Sequence, residues 1–178
     1  MVRVSMKTIM AAILLVSPVL AGDVSQAAGS ANACGPDAVK FRVNALKPRP
    51  AAQPEPGKAL VYVVERFDRP ANEWGKPTIR VGLDGAWVGA NRDTSYLYFN
   101  VDPGEHHLCT DWQSFPPLMR KVLPALTALR AEAGETYYFS AHVIEHRGYF
   151  TLDLARENPD EGKMLVETVP LSDYRLKK

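Results

Sequence analysis

Apolar and polar positions alternate in short runs along most of this chain, and residues with turn chemistry separate the runs. Ile79, Val81 and Leu83 alternate with Arg80 and Gly82, Asp84-Gly85 interrupts, and Trp87 resumes the pattern. A type I′ turn needs positive φ at both central positions, which Asp-Gly supplies, so residues 79–87 are predicted to form a hairpin. Leu97, Phe99 and Val101 follow at period two, and Pro103-Gly104 marks a second turn: proline sets φ and glycine takes the positive value. Residues 96–101 are therefore expected to fold back onto a strand at 105–113, with Leu108 and Trp112 inward.

Upstream, Val39, Phe41 and Val43 alternate with Lys40 and Arg42, predicting a short, isolated strand. Residues 44–57 carry Pro48, Pro50, Pro54 and Pro56, too few backbone donors for sheet, and are expected to run as a stiff extended linker. Residues 59–64 are apolar on both faces and rich in β-branched side chains, the pattern of a central strand covered on both sides. Downstream, residues 123–131 alternate again as a strand, although Leu123, Leu126 and Leu129 also suit a short helix; Ala133-Gly134 then turns the chain into a strand where Tyr137, Phe139, Ala141 and Val143 share one face, and Arg147-Gly148 turns it into Phe150, Leu152 and Leu154. These runs predict a meander of neighbouring strands. Asn158, Pro159 and Glu161 fall at N-cap, N1 and N3 of a short helix over 159–168. Its Met164, Leu165 and Val169 form a narrow apolar stripe suited to covering a sheet edge.

Many short strands with Gly and Pro turns between them indicate an all-β chain, an antiparallel immunoglobulin-like β-sandwich of seven to nine strands with a short C-terminal helix. With 178 residues, 46% of them hydrophobic, the chain can fill one sizeable core. Net charge of +1 argues against nucleic-acid binding, which needs a strongly basic face. Arg3 and Lys7, the apolar run 9–20 and the small pair Ala21-Gly22 follow the order of a secretory signal peptide over residues 1–21, with Ala27 or Ala28 as later cleavage points. The run falls short of the roughly 20 apolar residues that span a bilayer. Residues 22–57 then form an N-terminal segment and 58–178 the sandwich domain, in a periplasmic or extracellular protein. Lipid attachment at Cys34 is disfavoured because Ala31-Asn32-Ala33 before it lacks the usual leucine. Cys34 and Cys109 are the only two cysteines, so export predicts a disulfide between them.

Residues 57–63 (GKALVYV), 81–85 (VGLDG), Ser95-Tyr96, 101–106 (VDPGEH) and 131–138 (AEAGETYY) resemble, in this order, an uncharacterised bacterial domain family related to PEGA domains. The resemblance covers about residues 57–154. It implies an immunoglobulin-like sandwich in exported or envelope proteins, with no catalytic residues to carry over.

Candidate chemistry is sparse. His142, Glu145 and His146 match the H-x-x-E-H pattern of a metal-dependent hydrolase, the alternative function for this chain. That pattern binds metal on a helix. In a strand the two histidines stand about 13 Å apart at 3.3 Å per residue. His106 and His107 are adjacent, so a strand sends them to opposite faces. There is no nucleophile elbow and no phosphate loop, and neither a cofactor nor a metal is implied. Tyr62, Phe99, Phe139 and Phe150 fall at core positions, whereas Trp87, Tyr96, Tyr98 and Tyr138 are expected on partly wet faces. The best binding candidate is the loop 111–121 with Trp74, where Trp112 and Phe115 offer apolar surface and Arg120 and Lys121 add charge. The competing reading has Trp112 cap the core and Phe115 plug the sandwich end. The sequence thus points to a noncatalytic module meeting an envelope protein or glycan, with no nucleic acid and no membrane span.

Overall fold

The computed structural model describes residues 34–47, 52–67, 77–114, 123–147 and 149–178. The expected signal peptide, Trp74, Phe115, Arg120 and Lys121 lie outside them. In chain order the strands are β1 (Phe41–Leu46), β2 (Ala59–Phe67), β3 (Thr78–Leu83), β4 (Ala86–Arg92) and β5 (Tyr96–Val101). There follow β6 (Gly104–Ser114), β7 (Ala125–Ala131), β8 (Thr136–His146), β9 (Tyr149–Glu157), helix α1 (Pro159–Thr168) and β10 (Leu171–Leu176). They build a six-stranded sheet in the order β1-β10-β5-β2-β8-β9 and a four-stranded sheet in the order β4-β3-β6-β7.

The doubly apolar run at 59–64 does become a central strand. Every residue from Ala59 to Val64 is at most 1% exposed. Ala59, Val61 and Val63 pack between the sheets with Val81, Leu97, Leu108 and Phe139. Leu60, Tyr62 and Val64 face the other way, into a second core with Tyr96, Tyr138, Val166, Val169 and Leu171. Each such aliphatic side chain contributes roughly 1.5–3 kcal/mol on burial, which is why both layers must be closed.

The β3–β4 hairpin turns through Asp84 (φ 50) and Gly85 (φ 83), the two positive values that the turn needs. The β8–β9 hairpin is likewise as expected, with nine cross-strand pairs. Asn158 caps α1, its Oδ1 accepting from the Glu161 N–H at 2.9 Å.

Pairing across other turns departs from the sequence reading. β5 does not fold back onto β6, and β7 does not neighbour β8, because each pair is divided between the two sheets. Gly104 (φ 143) and Gly134 (φ 85) supply the expected positive φ, but they turn corners between layers. Turn chemistry fixes the local bend and leaves open whether the next strand pairs or crosses. Nor is the large sheet wholly antiparallel, since β2 runs parallel to β8 over eight pairs and β10 meets β5 in parallel at Leu171 and Tyr96. The described residues form ten strands, more than the seven to nine expected, with β10 pairing β1 over six residues so that β1 is not isolated.

Helix α1 lies over β8 and β2, near the middle of the large sheet and not at its edge. Met164 is 57% exposed, and Val166 with Gly162 forms the buried side. Tyr96 and Tyr138, expected to be partly wet, are buried in the core that α1 closes, and the Tyr138 and Tyr62 rings stack at 5.1 Å. A Cβ at Gly162 would overlap the Tyr138 side chain. In a free helix Gly→Ala stabilises by about 1 kcal/mol. Here Gly162→Ala is expected to lower stability by roughly 1–3 kcal/mol through overpacking. Denaturant titration checks it, and a stabilised variant would mean that α1 rides clear of Tyr138.

Candidate functional site

Of the residues proposed for the binding loop, the structure describes Trp112. It is buried, packed with Ile79, Val143, Phe150 and Leu152, its ring 6.4 Å from that of Phe150. Trp112 therefore caps the core at this end of the sandwich. The 142–146 motif lies on β8, an extended strand, with His142 opposite Asp153 and His146 opposite Tyr149. His146 Nε2 is 3.0 Å from Thr151 Oγ1, and its ring stacks on Tyr149 at 4.5 Å. Among the described residues, no three or more His, Cys, Asp or Glu side chains stand close enough to hold a metal ion.

The outer face of the small sheet carries the densest polar assembly. Cys34 and Cys109 form the expected disulfide, with Cα atoms 5.2 Å apart across 75 residues of sequence. Arg80 on β3 pairs in register with Asp111 on β6, and the two side chains meet at 2.6 Å. The other guanidinium nitrogen donates to the carbonyls of Asp37 at 3.3 Å and Val39 at 3.0 Å, and the group lies 4.2 Å from the Trp87 ring centre. Trp87 Nε1 in turn donates to the Pro36 carbonyl at 2.8 Å. Arg80 is only 1% exposed under this strap. The planar fork of arginine serves a carboxylate, two carbonyls and an aromatic face at once, which lysine cannot do. From sequence Arg80 reads as the solvent side of an alternating strand, and its one visible signal is an opposite charge on a strand of the same sheet.

A second buried group is Glu65, which follows Val61 and Val63 on the inward face of β2. Both carboxyl oxygens are fully buried and accept no hydrogen bond. Burial, with the Asp93 charge adding to it, pushes this carboxyl well above its ordinary value of 4.5. Nearby, Asn91 Nδ2 donates to the Val63 carbonyl at 3.0 Å and its Oδ1 accepts from Ser172 Oγ at 2.9 Å, while Ser172 and Ser95 join at 2.8 Å. This polar layer ties β4, β2 and β10 together.

At the opposite end, His106 Nδ1 lies 2.7 Å from Asp84 Oδ2 and Nε2 lies 2.7 Å from the Asp102 carbonyl. Both partners are acceptors, so both ring nitrogens donate only in the imidazolium form, and the Asp84 hydrogen bond raises the His106 pKa. A cleft of about 390 Å³ opens between residues 43–45 of β1 and the turn formed by Arg92, Asp93 and Thr94, with Pro170 completing its wall. The chain matches no family model, no curated protein and no solved structure.

Two expectations follow for the buried charges. Asp111→Ala strands the Arg80 cation beneath the strap and is expected to cost about 3–5 kcal/mol. Asp37→Ala removes a carboxylate that is 83% exposed and 3.7 Å away, and should cost at most about 1 kcal/mol. Chemical denaturation of the two variants measures the contrast. For Glu65 the folded state keeps a proton that the unfolded chain has lost above pH 4.5. Its contribution is complete below that value and declines as pH rises toward the raised folded pKa. Glu65→Gln should flatten that decline in a stability-against-pH profile, and an unchanged slope would acquit Glu65.

Proposed function

We propose that this chain is an exported, noncatalytic binding or structural module of the bacterial envelope, an immunoglobulin-like sandwich related to PEGA domains. The observation that carries the reading is the Cys34–Cys109 disulfide, which closes the N-terminal segment over the small sheet. Such a bond persists in oxidising compartments and is rare where thiols are kept reduced. Of the expected loop 111–121, residues 111–114 belong to β6, so the partner, an envelope protein or glycan, meets residues 115–121 and Trp74. The buried Trp112 is no part of that contact, and Pro116-Pro117 limits the ordering cost of binding.

Cell fractionation and capture from envelope extract test both parts. The chain should appear outside the cytoplasm without residues 1–21 and with no thiol titrating in the denatured, unreduced protein. Phe115→Ala or Trp74→Ala should weaken capture about tenfold or more, the loss expected for a central aromatic anchor, with thermal stability retained. Two free thiols would defeat the export reading, and unchanged capture with lowered stability would make the loop structural.

A further inference from the structure

The open edge of β1 is a second place where this sandwich can take a partner. The Lys177 N–H donates to the Lys40 carbonyl at 2.8 Å, and the register continues from Phe41 opposite Leu176 to Leu46 opposite Leu171. Backbone groups alternate in direction along an antiparallel ladder. Arg42, Asn44 and Leu46 therefore bond to β10, whereas Phe41, Val43 and Ala45 turn their N–H and C=O groups to the open side. At Phe41 both groups are taken by one side chain. Gln113 Oε1 accepts from the Phe41 N–H at 2.5 Å, and Gln113 Nε2 donates to the Phe41 carbonyl at 2.8 Å. A primary amide carries the donor and acceptor of a peptide unit, so Gln113 stands where a residue of an added strand would stand.

Among the described residues no hydrogen bond reaches the outward groups of Val43 or Ala45. They continue the line about 7 and 13 Å beyond Phe41, at the rise of an extended chain. The cleft of about 390 Å³ borders these residues as well, and it extends to Arg92, Asp93, Thr94 and Pro170. We propose that this edge binds an extended peptide segment of a partner, added as a further strand beside β1. Exposed Lys40, Arg42 and Arg92 flank the edge and outnumber Asp93 in the cleft, so the segment is acidic. A second copy of this chain fits poorly, because β1 beside β1 would gather Lys40, Arg42 and Lys47 of both copies on one ribbon.

The site borders Gln113 at the end of β6, and its test, read at Val43 and Ala45, stands or falls independently of capture by residues 115–121 and Trp74. An acidic strand-forming peptide of about eight residues, alternating Glu with Val and Thr, is titrated into the folded chain while backbone amide exchange is read by NMR. The Val43 and Ala45 amides should slow about tenfold or more, while Arg42 and Asn44, already bonded to β10, change little. Ala45→Pro removes one outward N–H and no bond to β10, and should abolish the effect. The same peptide N-methylated at alternate residues should also fail to bind, which checks backbone pairing without altering the protein. Unchanged exchange at Val43 and Ala45 overturns the proposal, as does equal binding of a basic peptide or of the N-methylated one. Protection that grows with protein concentration without peptide would assign the edge to a second copy and overturn the stated occupant.

Discussion

The architecture depends on β2 being buried on both faces. A strand with apolar side chains on alternate sides must be sandwiched, and β2 meets the small sheet on one side and α1 on the other. Its neighbours in the sheet are antiparallel β5 and parallel β8. Parallel neighbours need a long crossover. Here the crossover from β2 to β8 makes two excursions, through β3–β4 and through β6–β7, and those excursions are the small sheet. The second layer of the sandwich is thus the route by which the chain brings β8 alongside β2.

Two buried ionisable side chains show opposite solutions to the same problem. Arg80 is surrounded by a carboxylate, two carbonyls and an indole face, and satisfying those partners fixes the path of residues 36–39. A cation placed this way is a specificity device first, since a well-packed apolar substitute is often at least as stable. Glu65 has no such shell, and its burial raises the pKa of its carboxyl. One group organises a segment, whereas the other makes the core sensitive to proton concentration.

Local features were legible in the sequence because they are decided locally. Asp84-Gly85 dictates its turn, Asn158 and Pro159 dictate the start of α1, and the run 59–64 can only be a strand covered twice. Two cysteines in a chain read as exported gave the disulfide pairing directly. Sheet membership was not legible, since Pro103-Gly104 and Ala133-Gly134 have the chemistry of hairpin turns yet pass the chain between layers. Gly162, a residue that disfavours helix in isolation, leaves the room that the Tyr138 side chain needs against α1. β10 was missed because Ser172, Asp173 and Arg175 dilute its apolar signal, while Leu171 and Tyr174 pack against the cores. Arg80 and Glu65 sit at positions whose burial depends on distant segments, which no periodicity reveals. Of the candidate binding loop, Trp112 could be placed, and its core-capping alternative is the reading that its burial matches.

The position of β10 has a consequence for how the chain must be made. The earliest strand of the sandwich has the latest as its neighbour, and that latest strand also separates β1 from β5. A polypeptide emerging amino end first, from a ribosome or a translocation channel, holds β1 and one side of β5 without partners until residues 171–176 arrive. Closing the large sheet consequently waits for residues 171–176. Any product cut short before Leu171 is left with β1 unpaired and one side of β5 bare, both open to adhesion.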